Sequence, residues 1–582
     1  MTYGGSGRNN SSINGGTQQV LGSALGATSS LTTAAQLSAQ FPGEVLKLSD
    51  LPRIVPLRPV SPALPGGTLP IYSRSGTLYG YDPNYVTPYT QNFNLSVTSS
   101  IRRNMTVDIR YIGTQSKKQE ADINLNTNNI YFNKELSDAL DAARRGEDPV
   151  LLTQMMAGLN LSGAPAAENY ASVGTVNANG VYQTGAAHIR RSTTYRQNLL
   201  NGNYLAVVNS LLTDTAGTGY VSNTTLGVTP SARILRNGCD RIAAQNGSQT
   251  FGTGANALQL RCFPENYLVT NPQVSTANYR TNSDSSNYHS MQAQFTLRPT
   301  QGFSASTTYT WSKTMGTPGS GNANPLNRAA DYKLLYSSVT HDWRTNGTIE
   351  LPFGPNKLLF GNSSGWLARL IERWQASLIL NLTSGRPDSI TALTGLTYAS
   401  GAVTSGANTV PDVVGPFDLR KGNMVWDGAA NQGRYFGEEF VVVADPQCSL
   451  ANNTDTMGFN LAANVNCGLQ AVARIVPAGT PGSTVIDGQN VQIVLQNPLP
   501  GRQGTLGQNT MEGLGSIRFD GNIGKTFRIS ESKSLQIRVD ATNVLNHPTP
   551  ALPSFSINSD NFGLSTTKTG GRAFQGQLRF TF

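Results

Sequence analysis

The chain is short of charge, of cysteine and of long apolar runs, and each shortage closes off a class of explanation. Charged residues make up 13% of its 582 residues, well below the roughly 25% of an ordinary soluble domain. No stretch is apolar for long enough to be a spanning helix. Helices and strands do not alternate in the way that builds an α/β core, so the length does not resolve into several soluble domains of that kind. Only four histidines are present, His188, His289, His341 and His547, and the sequence brings them into no metal cluster. The net charge of +9 comes from scattered basic residues without runs. That pattern gives nucleic acid no footprint, although a basic exterior is compatible with anionic lipid headgroups. With no catalytic constellation in view the chain is not expected to be an enzyme, and no cofactor is expected.

What the chain does have is glycine, 60 residues of it, and segments of strict two-residue alternation. At the C-terminus Phe574, Gly576, Leu578, Phe580 and Phe582 point one way, and Gln575, Gln577, Arg579 and Thr581 the other. A strand with lipid on one face and a watery lumen on the other must alternate in this way over roughly ten residues. The same pattern appears in a hairpin with Tyr89 to Ile101 as one arm and Met105 to Tyr111 as the other, turning at Arg102 to Asn104. A second hairpin runs through Met291 to Leu297 and Phe303 to Trp311, its other face wholly polar from Gln292 to Thr310. Further strands are expected at His341 to Leu351, Trp374 to Leu382, Ile517 to Phe527 and Leu535 to Leu545, with a short interfacial helix at Trp366 to Arg373. Trp311, Trp343 and Trp374 fall near strand ends, where aromatic girdles or ordinary loop packing would place them.

The connections alternate between short and long. Short turns lie near residues 102, 300 and 530, with a medium one near 360, and long segments occupy 114–287, 314–338, 385–512 and 546–572. Outer-membrane barrels have short periplasmic turns and long external loops, and counting back from a periplasmic C-terminus every connection falls on the matching side. Residues 1–85, punctuated by Pro52, Pro56, Pro59, Pro62 and Pro65, read as an irregular external loop region, and 86–582 as barrel. Glu135 to Arg145, Val150 to Leu159 and Ala187 to Leu212 read as helices within an external loop. The expected fold is therefore all-β, a transmembrane antiparallel β-barrel with long extracellular loops containing short helices. About nine strands are visible, an odd number whose first and last members both descend, so closure calls for an odd number of further strands. Met1 to Ser12 is polar and lacks the basic and apolar regions of a signal peptide, which leads to the expectation that the intact protein begins upstream.

Cys239 with Cys262, and Cys448 with Cys467, form two local pairs in Gly/Asn-rich regions. Two loop disulfides are the expected state, with four free thiols as the alternative; metal binding has no Cys-x-x-Cys or adjacent histidine to support it. Arg518 and Asp520 share the lumen face with Arg538 and Asp540 on the next strand. They are candidates to grip something inside the barrel, the alternative being a cross-strand ladder that stabilises the wall. His341 beside Asp342 invites a catalytic reading, but consecutive strand residues face opposite ways. Gly319-Ser-Gly321 lacks the setting of a nucleotide-binding turn and reads as loop.

Several segments resemble one family. Ser286-Asn-Tyr-His-Ser-Met-Gln292 leading to Tyr309-Thr-Trp-Ser-Lys313, then Leu351-Pro-Phe-Gly354, Ser384-Gly-Arg-Pro387, Arg538-Val-Asp-Ala-Thr-Asn-Val-Leu-Asn-His-Pro548 and Gln577-Leu-Arg-Phe-Thr-Phe582 resemble the C-terminal barrel of Oar-like TonB-dependent receptors. Tyr81-Asp-Pro through Asn92-Phe-Asn-Leu to Tyr111-Ile-Gly113 is similar to its mid-barrel part. The resemblance implies the C-terminal part of a barrel of about twenty-two strands, a plug domain and an N-terminal barrel half as partners, energy delivered by TonB, and import of a large or scarce solute across the bacterial outer membrane, with membrane lipid around the wall. An adhesion or structural barrel without active transport is the alternative, and a secreted β-sandwich with a dry core is the second.

Overall fold

The alternating segments fold as one wall. In the computed structural model, which describes residues 18–20, 77–161, 163, 171–213, 250–251, 254–259, 261–264, 266–271, 276–300, 302–317, 328–393, 395–396, 409–419, 424–450 and 467–582, nine long strands follow one another as an antiparallel meander. They are β1 Tyr89–Arg102, β2 Met105–Asn124, β3 Thr276–Thr300, β4 Phe303–Gly316, β5 His341–Glu350, β6 Trp374–Thr383, β7 Ser516–Arg528, β8 Ser534–Thr542 and β9 Ala573–Thr581. Among the described residues β1 pairs only with β2, and β9 only with β8.

Register carries the alternation across strand boundaries. On one face Val107 stands opposite Phe295, Phe295 opposite Thr307, and Thr307 opposite Thr345; Thr345 then meets Leu380, and Leu380 meets Phe519. The two threonines in this apolar row satisfy each other, their hydroxyls 2.7 Å apart. On the other face the corresponding row is Asp108, Gln294, Thr308, Arg344, Asn381 and Arg518. Because the side-chain period is two, a slip of one residue in any strand would throw its polar set onto the apolar face, so the two faces together fix the register.

At one end the turns between β1 and β2, β3 and β4, and β7 and β8 are tight. Gly302 takes φ +81 between β3 and β4, and a Cβ there would lie 2.8 Å from the Glu350 Cβ, so both backbone and space call for glycine. At the same end helix α1 (Gly365–Ile371) presents Trp366 and Leu370 to the outside and accepts the Trp374 indole N–H on the Leu370 carbonyl at 3.1 Å. Lys525, on the apolar face of β7, reaches out to the Arg369 carbonyl across the Phe527 ring, the snorkelling geometry of a long cation at the rim of an apolar surface. No described helix is long and apolar enough to cross a membrane.

At the other end the long connections fold into structures of their own. Residues 125–275, between β2 and β3, carry helices α2 (Lys134–Arg144), α3 (Val150–Met156), α4 (Gly185–Arg191), α5 (Arg196–Leu200) and α6 (Tyr204–Thr213). The Asn133 side chain caps α2 by accepting from Leu136 N–H at 3.1 Å. Leu136, Ala139, Leu140 and Ala143, spaced as one helical face, are buried against Ile189, Leu199 and Tyr204. The connection from β6 to β7 instead builds a small antiparallel sheet from strands 412–413, 440–444, 470–475, 484–486 and 489–496. Its core joins Tyr435, Phe436, Val472 and Leu495 to Phe555, Ile557 and Phe562 from the β8–β9 connection.

The structure corrects several sequence expectations. The first long loop, expected at 114–287, is shorter: β2 continues to Asn124 and β3 begins at Thr276. Ala187 to Leu212, expected to be helical, resolves into three helices broken around Ser192 to Tyr195 and at Gly202. The segment 385–512 holds the small sheet just described. Within residues 1–85, Gln18–Val20 and Thr77–Tyr81 are strands, the second paired in parallel with the outer end of β3; most of the remainder lies outside the described residues.

Candidate functional site: the lumen face and the outer belt

Four arginine–aspartate pairs line the polar face, each joining residues two apart on one strand: Asp108–Arg110 on β2, Asp342–Arg344 on β5, Arg518–Asp520 on β7 and Arg538–Asp540 on β8, at 2.6–2.8 Å. Residues i and i+2 share a face, so an arginine can fold back on its own strand's aspartate without a neighbour's help. Pairing along each strand stands in place of the alternative cross-strand ladder. Register places Asp540 opposite Asn522 and Arg538 opposite Gly524, staggered from Arg518 and Asp520. The guanidinium-bearing side chains are 41–69% exposed and the aspartates 18–34%. The aspartates thus sit near the wall and hold the arginines outward from it. Asp520 also accepts the Asn543 N–H at 2.9 Å, fixing the start of the β8–β9 connection.

On the apolar face, near the loop end, sits an aromatic belt. Tyr111 hydrogen-bonds His289 at 2.8 Å and Tyr309 hydrogen-bonds His341 at 2.7 Å, both pairs being stacked. Trp343 packs edge-on against Tyr309, and its indole N–H donates to Thr345 Oγ1 at 2.9 Å. Residue identity alone does not reveal the tyrosine–histidine pairs, because they are diagonal across neighbouring strands joined by long connections. His341 and Asp342 face opposite ways, the first to Tyr309 and the second to Arg344. Trp374 and Phe527 stand in the belt at the turn end. Among the described residues no group of three or more His, Cys, Asp or Glu is placed to hold a metal.

In the folded connections Cys448 and Cys467 form a disulfide, and Cys262 is also disulfide-bonded; Cys239 lies outside the described residues, as does Gly319-Ser-Gly321. Asp445, almost fully buried, accepts from Gln447 N–H at 2.9 Å and from the backbone and side chain of Asn497 at 2.8 and 2.9 Å. Burial raises its pKa above the usual carboxylate value, with those hydrogen bonds opposing the rise. Arg144 ties the two connections together, donating to the Leu200 carbonyl at 2.9 Å and the Gln447 carbonyl at 3.4 Å. On α4, His188 is fully buried. Loss of water, and secondarily the Arg191 charge, hold its pKa down at about 4.

Residues 3–577 match the family model described as outer membrane beta barrel domain. The chain belongs to this outer-membrane barrel family. Its apolar face is the lipid-facing surface, its polar face lines the lumen, and it resides in the bacterial outer membrane. Among solved structures it is similar to the outer membrane transporter YddB from Escherichia coli, at 9% identity and a TM-score of 0.29, covering 88% of this chain and 34% of that one. It is also similar to the closed form of the ferric-catecholate import receptor Fiu from Escherichia coli K12, at 10% identity and a TM-score of 0.13, covering 85% of this chain and 54% of that one. The chain thus spans about a third of the first and about half of the second. No curated protein matches it.

Proposed function

We propose that this chain forms the C-terminal part of the barrel of a TonB-dependent, Oar-like outer-membrane receptor that binds and imports a large or scarce solute. The observation that carries the reading is the set of water-facing arginines held off the lumen wall. Half-exposed ion pairs add little to stability, so stability does not account for four of them on one face. A row of arginines fixed outward by their own aspartates is suited to grip a body inside the barrel that offers carboxylates and backbone carbonyls, and to release it when that body is pulled. A plug does both in an energised transporter. The long connections, packed around two buried cores, supply a preformed surface for catching solute outside the cell.

The same folded cap favours one other reading, an adhesion or structural barrel that holds surfaces or polymers without transport. The two differ in growth. A host strain lacking the gene should lose growth on one scarce nutrient, loss of TonB should produce the same defect, and the double loss should be no worse. A strain that grows normally on every nutrient but adheres less would instead support the second reading.

A further inference from the structure

Above the lipid-facing wall, where strands β4 to β7 meet the outer connections, is a recess of about 800 Å³. Its wall side is built from belt residues including His341, Trp343 and Ile517, and its loop side from Trp426, His547 and Lys568. The loop side is held by short ladders: 425–427 pairs with 432–434, and Pro550 pairs with Lys568. Lys568 Nζ stands 3.6 Å from the Trp426 ring centroid, which fixes the cation at the rim. The lining carries three bases and no carboxylate.

Directly below, on the same lipid-facing surface, is a groove of about 430 Å³ floored by Ala305, Gly347, Gly521 and Ala541 and flanked by Phe519 and Phe574. Register explains the floor: Ala305 lies opposite Gly347, Gly347 and Gly521 both lie opposite Leu378, and Gly521 lies opposite Ala541, so small residues from four strands align. Along β5 the groove is reached four residues after Trp343, about 13 Å at the strand rise. A basic, aromatic recess at headgroup depth therefore stands above an apolar groove at acyl-chain depth on the same face of the wall.

We propose that this recess and this groove together bind a phosphorylated amphiphile of the outer leaflet, its phosphate held in the recess by Lys568, His341 and His547 and one acyl chain laid along the wall into the groove. Charge selects the headgroup, since a cationic one would face the Lys568 ammonium with no carboxylate in the lining to receive it, whereas an anionic one meets that ammonium and two imidazole rings. Continuity with the lipid-facing wall selects a membrane component over a soluble phosphate. Position at the loop end selects the outer leaflet over the inner.

The test is lipid retention by the full chain, purified in detergent and offered diphosphorylated lipid A or phosphatidylethanolamine, read by native mass spectrometry. Wild type should retain lipid A in preference to phosphatidylethanolamine. Lys568→Ala should lower that retention by about tenfold, the scale of one charge-assisted contact, and Ala541→Phe, which fills the groove without touching a base, should lower it independently. Lys357→Ala, removing an equal charge at the turn end, should leave retention unchanged. Equal retention of both lipids by wild type, free inorganic phosphate displacing lipid A completely, or equal losses in Lys357→Ala and Lys568→Ala would each overturn the site. Gel mobility before and after heating shows that each variant is folded. If Lys568→Ala does not fold, Ala541→Phe carries the test, and normal retention by a folded Ala541→Phe overturns the acyl groove.

Discussion

Leu378→Arg should destabilise the barrel by about 2–4 kcal/mol, the cost of an arginine on a lipid-facing strand at the bilayer midplane. Leu378 lies midway along β6 on the apolar face, with Gly347 and Gly521 as its register partners. Neither glycine offers an acceptor side chain, and the adjacent positions on that face are Ala376 and Leu380. The guanidinium therefore has no anion within reach and must pull itself toward an interface. Ser377→Arg, one residue earlier, points into the lumen beside Asn522 and Thr348 and should cost far less, because water solvates it there. Phe527→Arg, in the belt at the turn end, should cost about 0–1 kcal/mol. Urea titration of folded barrel, read by gel mobility before and after heating, ranks the three. Equal losses at 377 and 378 would contradict the assignment of faces.

Mild acid should open the helical connection between β2 and β3 while the wall stays folded. His188 is buried and its pKa is held at about 4, against the ordinary 6.5 that it regains on unfolding. Between those values the unfolded segment binds a proton that the folded one refuses, so stability falls as pH falls across the window. Below about pH 4 both states are protonated and the loss is complete, at about 3 kcal/mol from this group alone. Protonation would place a second positive charge beside Arg191, in a region where Arg144, Arg190 and Arg196 are already buried. Urea-induced loss of helical signal, followed from pH 7 to pH 4, should show a falling midpoint in the wild type and a flatter profile in His188→Gln. A midpoint that rises toward pH 4 in both proteins would contradict this.

The wall was legible in the sequence because lipid and lumen impose opposite chemistry on alternate residues. Each of the nine strands carries that imprint where it crosses the membrane, from Phe93 and Leu95 in β1 to Leu578 and Phe580 in β9. The imprint ends where both faces meet water. Gln115, Ser116, Lys117, Lys118, Gln119 and Glu120 do not alternate in polarity, yet β2 continues through them, paired to β3 at Gln115, Ser116 and Gln119 with the register shifting on either side of Gln119. The folded connections were legible only in fragments. Asn133 followed by a helical apolar spacing marks α2, whereas the sheet of residues 412–496 rests on pairings between segments such as 440–444 and 470–475 that no local pattern announces.

The candidate site divides in the same way. Arg518, Asp520, Arg538 and Asp540 were visible as lumen-facing charges, but their partners were not, since an arginine two residues from an aspartate on a strand has equal access to its own strand and to the next. Seeing Asp108–Arg110 and Asp342–Arg344 as repeats of the same spacing would have pointed to pairing along the strand. The recess under Trp426 and Lys568 joins connections more than a hundred residues apart in sequence, and only the folded chain brings them to the belt.

The central claim is that β6 separates lipid from water residue by residue. Cysteines placed singly at positions 375 to 382, in the chain held in a bilayer, test it directly. Positions 375, 377, 379 and 381 should react with a water-soluble maleimide, while fluorophores at 376, 378, 380 and 382 should be quenched by nitroxide-bearing lipids. Labels at 376, 378 and 380 that neither water-soluble reagent nor lipid quencher reaches would place those residues in a dry interior and contradict the account.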